Sequence, residues 1–149
     1  MTVIIWIAEP TWASCVEAAR ARCAPQEPVT LLGVTDEGVA AAAHGAFSGL
    51  LGRGHGPGQD PGRRLEEAAA GAAAGLLERA AARLGRPARR VARTGRVEDE
   101  VMAELAGRGA EDLLICARDG DRSRPGPHTL APPTRFVVDH APCPVLLVW

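Results

Sequence analysis

The chain ends in A-E-D-L-L-I-C-A-R-D-G (residues 110–120), a polar, proline-rich segment, and R-F-V-V-D-H-A-P-C-P-V-L-L-V-W (residues 135–149). The apolar run Asp112–Ala117 predicts a strand that opens into a loop containing Gly120. Pro133–His140 predicts a short helix, and Val145–Val148 predicts a closing strand. Because a helix connects two successive apolar strands, this stretch indicates a β-α-β unit with parallel strands.

The same alternation of strands and helices runs through the rest of the chain. The pattern predicts strands at Thr2–Ala8, Val29–Val34 and Ala88–Arg93, and helices at Trp12–Cys23, Leu65–Leu84 and Val97–Gly107. The first strand is continuously apolar, which is typical of a strand covered on both faces. On the longest helix, a face of small residues (Ala70, Gly71, Ala74 and Gly75) predicts a close approach to the sheet. The alternation predicts a doubly wound, five-stranded parallel sheet with helices on both faces.

Length and composition indicate a single domain spanning residues 1–149, since 149 residues can bury an ordinary core. Residues 45–64 are rich in glycine and proline and predict a flexible insertion, while the Ala-rich segment Gly38–Ala46 allows a helix. The glycines there lack phosphate-loop spacing, since no G-K-[S/T] follows and the chain contains no lysine. A net charge of −1 argues against a molecule that binds polyanions with its whole surface.

The cysteines and the N-terminus bear on the cellular compartment. Four cysteines lie in apolar segments without C-x-x-C spacing, which favours buried thiols in a reducing environment. Residues 1–8 lack a basic leader and are too short for a signal peptide or a membrane span, so we expect a cytoplasmic protein. The histidines show no metal-binding spacing, and a nucleophile built on Cys116 or Ser123 with a histidine has no supporting motif.

The signature H-A-P-C-P-V at residues 140–145 is very like the closing helix and strand of the universal stress protein family. V-T-L-L-G-V (residues 29–34) and the segment from Arg93 to Ile115 also resemble that family, so the likeness covers nearly the whole chain except residues 36–64. The resemblance implies a Rossmann-like sheet in strand order 3-2-1-4-5 and a usual dimer. The family contains members that bind ATP and members that do not.

ATP-binding members resemble one another in a loop written G-x-x-G, nine residues, G-[S/T]. By that resemblance the glycine positions fall on Ala117, Gly120 and Ala131, and the hydroxyl position falls on Pro132. The spacer between Gly120 and Ala131 is ten residues, one more than the pattern. Pro132 offers a phosphate neither an N–H nor a hydroxyl, and Pro133 removes a second N–H. Proline is also a normal choice at the start of a helix that binds nothing.

The resemblance implies further nucleotide-site positions. Glu9 takes the place of the family's adenine- or ribose-facing Asp. Val34 lies where a residue at the end of the family's second strand usually meets the base, and Gly95 lies where the family has a glycine after its third strand. Arg118 and Arg122, with Arg124, could replace lost amide donors with guanidinium contacts to an anion. The pattern favours a non-catalytic stress-response protein whose ATP site is lost or altered. The alternative is an ATP sensor, with Mg²⁺ and slow hydrolysis.

Two surfaces suggest partners. The final apolar strand with its flanks, Cys143–Trp149, has no further chain to cover it and predicts a homodimer. Arginines also cluster between residues 83 and 96, which makes a nucleic-acid-binding module a weaker alternative. An edge strand protected from aggregation by its charges explains the same cluster without nucleic acid.

Overall fold

Five parallel strands form one sheet in the structure, a computed structural model that describes residues 1–38, 41–42, 45, 61–118 and 130–149. The strands are β1 Val3–Ile7, β2 Val29–Asp36, β3 Arg89–Gly95, β4 Leu113–Ala117 and β5 Val145–Val148. Their spatial order is β3-β2-β1-β4-β5, and every pairing is parallel. The predicted sheet and its order 3-2-1-4-5 are therefore confirmed.

Four described helices cover the two faces of the sheet. They are α1 Trp12–Arg22, α2 Pro61–Leu84, α3 Val97–Leu105 and α4 Pro132–His140. One core packs α1 and α2 against one face, and a second core packs α3 and α4 against the other. β1 contributes alternate residues to both cores and is buried throughout, because helices cover it on each side. None of the described helices combines the length and apolarity that crossing a bilayer requires.

Two element boundaries differ from the prediction. α2 begins at Pro61, four residues before the predicted start at Leu65, so the end of the predicted insertion is helical. Proline suits the first turn of a helix because the N–H that it lacks has no partner there. β3 continues through Gly95, two residues beyond the predicted end at Arg93, because it stays paired with β2 as far as Asp36. Residues 46–60 of the predicted insertion lie outside the described part of the chain, while residues 41, 42 and 45 are helical.

The predicted small-residue contact between α2 and the sheet is wrong. Gly71 and Gly75 are exposed, and a Cβ atom added at either would meet nothing within 4 Å. The helix instead turns its leucines inward, burying Leu76, Leu77 and Leu84 with Ala80. Burying leucine removes more apolar surface from water than burying glycine or alanine, so the leucines set the rotation of the helix. The close approach is made by β2, where a Cβ on Gly33 would lie 3.4 Å from the Leu77 side chain.

Candidate functional site

The carboxyl ends of β1 and β4 form the crevice of this sheet. β1 leads into α1 on one face, while β4, its neighbour, leads toward α4 on the other face. In doubly wound sheets, ligands bind at such a switch point because the connecting segments diverge and leave a cleft between them. Glu9 follows β1, and Ala117 and Arg118 stand at the end of β4, so the topology brings these three predicted residues to one edge.

Glu9 is already engaged by an arginine on α2. Arg79 Nη2 donates to Glu9 Oε1 over 2.8 Å, and the Arg79 guanidinium carbon lies 5.6 Å from the centroid of the Trp12 ring. The two charged side chains are 60% and 55% exposed, so the pair contributes about 0–1 kcal/mol and could open for a ligand. Sequence reasoning missed Arg79, since 70 residues separate it from Glu9 and no motif links them.

The backbone amides at the start of α1 are occupied. The amides of Thr11 and Trp12 both donate to the carbonyl oxygen of Ala8, over 3.1 and 2.9 Å. Thr11 provides no side-chain cap to the helix, and its hydroxyl also points to the Ala8 carbonyl, at 3.4 Å. These two amides are therefore not available to a ligand unless the turn after β1 rearranges.

The start of α4 is poor in hydrogen-bond donors. Ala131 is the N-cap residue and makes no side-chain cap, while Pro132 and Pro133 occupy the first two helical positions. Neither proline has an N–H, so Thr134 is the first residue within the helix that carries one. The dipole still favours an anion here, but two of the amides that normally hold a phosphate at a helix start are missing.

Arg118 lies between the crevice and the edge of the sheet. Its backbone amide donates to the Val148 carbonyl over 2.8 Å, and its guanidinium carbon lies 4.0 Å from the centroid of the Trp149 ring. This cation–π contact was not anticipated from the sequence, and it places Trp149 beside a candidate anion-binding side chain. Gly120 and Arg122 belong to residues 119–129, outside the described part of the chain.

The other two predicted residues lie farther from β4. Val34 is half-buried on β2, where its side chain packs against the core beneath α3 and α4. Gly95 ends the edge strand β3, three strand positions from β4, which corresponds to about 14 Å. The Glu100 side chain lies against Gly95, since a Cβ atom there would be 2.8 Å from Glu100 Oε1. Gly95 therefore lies against Glu100 at the β3 edge of the sheet, opposite the β5 edge.

Negative charge surrounds the end of β3. Glu98, Asp99 and Glu100 form the first turn of α3. A hydrogen bond from its own backbone amide, together with the Arg96 guanidinium, lowers the pKa of Glu98, so its carboxylate stays ionised. Acidic residues are favourable at a helix N-terminus, and they repel a phosphate from the same position.

The cysteines are packing residues in this fold. All four are free and buried. Burial raises the pKa of the Cys15 thiol to about 12 and also raises the pKa values of Cys23 and Cys143, which disfavours the reactive thiolate. Cys116 is 1% exposed, and Ser123 lies outside the described residues. Within the described ranges no group of three or more His, Cys, Asp or Glu side chains could hold a metal ion.

Most arginines of the cluster form ion pairs with nearby carboxylates, and Arg86 donates to a backbone carbonyl. Glu104, whose side chain is only 5% exposed, contacts Arg89, Arg93 at 3.0 Å and Arg108 at 3.7 Å. The other four arginines of the cluster pair as follows: Arg83 with Glu17, Arg86 with the Ala24 carbonyl, Arg90 with Glu78, and Arg96 with Glu98 and Asp99. The arginines of the cluster are therefore interspersed with acidic side chains and do not form a continuous positive surface.

The parallel 3-2-1-4-5 sheet, with a switch-point crevice between β1 and β4, defines a doubly wound α/β protein of the Rossmann-like class. Within that class, the model of the universal stress protein family matches residues 15–148. The chain therefore belongs to the universal stress protein family.

Solved structures support the fold assignment. Universal stress protein UspA from Lactobacillus plantarum is similar with a TM-score of 0.58 and 22% identity, covering 99% of this chain and 97% of that chain. A universal stress family protein from Burkholderia pseudomallei has a TM-score of 0.60 and 20% identity, covering 99% and 95%. The hypothetical protein MJ0577 has a TM-score of 0.63 and 20% identity, covering 99% and 94%. No curated protein matches the chain.

Proposed function

We propose that this chain is a non-catalytic, cytoplasmic regulator in the stress response whose ATP site has been altered or lost. Family membership supports the stress-response role. The observation that carries the loss of the ATP site is the start of α4, where Ala131 caps the helix without a side-chain hydrogen bond and Pro132 and Pro133 follow. The buried cysteines support the non-catalytic part of the proposal, because burial keeps them protonated and inaccessible.

The missing donors weaken phosphate binding substantially. Two absent N–H groups, at about 1–1.5 kcal/mol per hydrogen bond, remove roughly 2–3 kcal/mol of binding free energy. That loss corresponds to about a 30–150-fold weaker affinity. The amides of Thr11 and Trp12, which donate to Ala8, do not compensate for it. Glu9 adds to the effect, since a ribose hydroxyl must compete with Arg79 for its carboxylate.

An ATP sensor with slow, Mg²⁺-dependent hydrolysis is the alternative. Two side chains favour it: Glu9 retains a hydrogen-bond acceptor beside the end of β1, and Arg118 retains a cation beside the end of β4. Because these strands are neighbours, a nucleotide in the crevice could contact both residues.

Calorimetric titration with ATP and Mg²⁺ separates the two functions. We expect neither heat nor a thermal shift at submillimolar ATP. Submillimolar binding that is lost in Glu9→Ala would support the sensor and contradict the altered site. Glu67→Ala is the matched control, since Glu67 is exposed and pairs with Arg63 within α2, away from the crevice.

We also propose that the protein is a homodimer that joins through the C-terminal segment Cys143–Trp149. β5 is an edge strand and pairs with β4 in the described sheet. All four of its residues are half-buried, and Trp149 is 40% exposed. A groove of about 550 Å³ runs between β5 and α1. A second copy would cover the backbone groups of this edge and its apolar side chains. Sedimentation at micromolar concentration tests this proposal, and a monomer would contradict it.

A nucleic-acid-binding role is the weakest candidate. The arginines of its cluster form ion pairs or bond to a carbonyl, so binding nucleic acid would require breaking those contacts. We therefore expect no electrophoretic shift with duplex DNA or single-stranded RNA at low salt. A shift that weakens steeply as salt rises would revive the nucleic-acid role.

A further inference from the structure

A cavity of about 360 Å³ lies between the first half of α2 and the carboxyl ends of β2 and β3. Leu65 and Ala69 line it from the helix, while Thr35 and Thr94 line it from the strands. The two threonines are register partners on neighbouring parallel strands, so they stand side by side. The cavity lies under α2, and none of its described lining residues belongs to β1 or β4.

The sequence of α2 explains why space is left there. In its second half, Leu76, Leu77 and Leu84 reach the sheet and are buried. One and two turns earlier on the same side the helix carries Ala73 and Ala69, which are half-buried but too short to fill the gap. Short threonine side chains on the strands opposite leave the remaining volume open, and the atoms that line it lose van der Waals contacts.

The rim of the cavity is acidic. Asp36 and Glu37, at the end of β2, and Glu66, on α2, also line it. Asp36 is held in place because its Oδ1 accepts the backbone amide of Gly38 over 2.8 Å. No arginine is among the described residues that line the cavity. Along the chain, Thr94 is flanked by Arg93, which is paired with Glu100 and Glu104, and by Arg96, which is paired with Glu98 and Asp99.

We propose that this cavity binds a small organic cation, a primary amine with a short apolar chain. The volume falls within the range of small-molecule sites, roughly 300–1,000 Å³. The apolar chain would regain the contacts missing beside Leu65 and Ala69, and the ammonium group would stay at the rim near the carboxylates of Asp36 and Glu37. The same carboxylates disfavour a phosphate, and the lining does not include Glu9, Ala117 or Arg118, so the proposal does not rest on the function proposed above.

Titration with hexylamine, followed by NMR, tests the proposal, with hexanol and hexanoate as neutral and anionic analogues. We expect saturable shifts at the Leu65 methyls and the Thr35 and Thr94 amides, with a dissociation constant on the order of a millimolar. Hexanol should bind at least about 5-fold more weakly. Glu37→Gln should weaken hexylamine binding by about 3-fold, whereas Glu67→Gln, a control on the exposed side of α2, should leave it unchanged.

A matched pair of variants tests the location. Ala69→Leu fills the cavity and should abolish hexylamine binding, while Ala70→Leu adds the same atoms to an exposed neighbour and should preserve it. The proposal is overturned if hexylamine does not saturate, if hexanol binds equally tightly, or if the two leucine variants behave alike. ATP titration of the same samples reports separately on the altered nucleotide site, so the failure of one proposal is distinguishable from the failure of the other.

Discussion

The Asp112 carboxylate ties the start of β4 to the residue that precedes β1: its Oδ1 accepts the backbone amide of Thr2 over 2.8 Å. Its Oδ2 accepts the amide of Gly109 at 3.3 Å, and the amide of Leu113 donates to the Thr2 carbonyl at 3.0 Å. The Thr2 amide is the main cause of a lowered pKa at Asp112, with further lowering by Gly109 and Arg108 and opposition from burial. The contact aligns two central strands at their amino ends.

Asp112 should therefore cause the stability of the folded protein to fall in acid. Because its folded pKa lies below the unfolded value of about 3.9, its contribution is complete above that value and is lost as pH falls through the folded pKa. We expect Asp112→Asn to lower the urea midpoint at neutral pH and to flatten its decline in acid. Asp139→Asn is the control, since Asp139 is exposed on α4. Equal acid profiles for Asp112→Asn and the wild type would contradict the assignment.

Glu104 should be the most costly acidic residue to neutralise on α3. Its side chain is 5% exposed and contacts Arg89, Arg93 and Arg108, so removing its charge leaves three guanidinium groups without their shared partner. We expect Glu104→Gln to reduce the free energy of unfolding by about 1–3 kcal/mol, measured by urea denaturation. Glu100→Gln, at 28% exposure and one ion pair, should cost less than about 1 kcal/mol. Similar losses in the two variants would argue against a special role for Glu104.

The four thiols should report on unfolding of the whole molecule. All four are buried, and the pKa of Cys15 is raised to about 12, so neither access nor thiolate formation favours reaction. We expect Ellman's reagent to label no thiol rapidly in the native protein and all four in denaturant. Raising the pH from about 7 to 9 should leave native labelling of Cys15 slow. Rapid labelling of any cysteine under native conditions would show that the core around it opens locally.

The edge strand β5 should control dimerisation. Leu146 is half-buried on β5 and lines the groove beside α1, so Leu146→Asp would place an unpaired charge in the proposed interface. We expect dimer dissociation to become at least about tenfold more favourable, since burying such a charge costs on the order of 2 kcal/mol. Analytical ultracentrifugation gives the dissociation constant. Ala92→Asp, on the opposite edge strand β3, should leave it unchanged, and equal effects at both edges would place the interface elsewhere.

Local sequence patterns were sufficient to predict the architecture of the sheet and its helices. The apolar run in β1 predicts a strand covered on both faces, and its residues do alternate between two cores. The H-A-P-C-P-V signature identifies the family, and the family model agrees. The donor-poor start of α4 is equally readable, because Pro132 and Pro133 lack an N–H in any conformation. These conclusions depend on the covalent structure of proline and on the spacing of apolar residues, and both can be read from a short stretch of sequence.

Contacts between residues that are distant in the sequence could be identified only from the tertiary structure. Nothing in the sequence links Glu9 to Arg79, Arg118 to Trp149, or Thr2 to Asp112. The inward face of α2 was also beyond local reasoning, because an Ala-rich helix shows little periodicity until the sheet selects its leucines. Which residues contact each other depends on strand order, helix rotation and side-chain rotamers together. These are set by the packing of the whole core. The donor-poor start of α4 was thus recognisable from its residues, whereas the engagement of Glu9 and the cavity under α2 are products of tertiary packing.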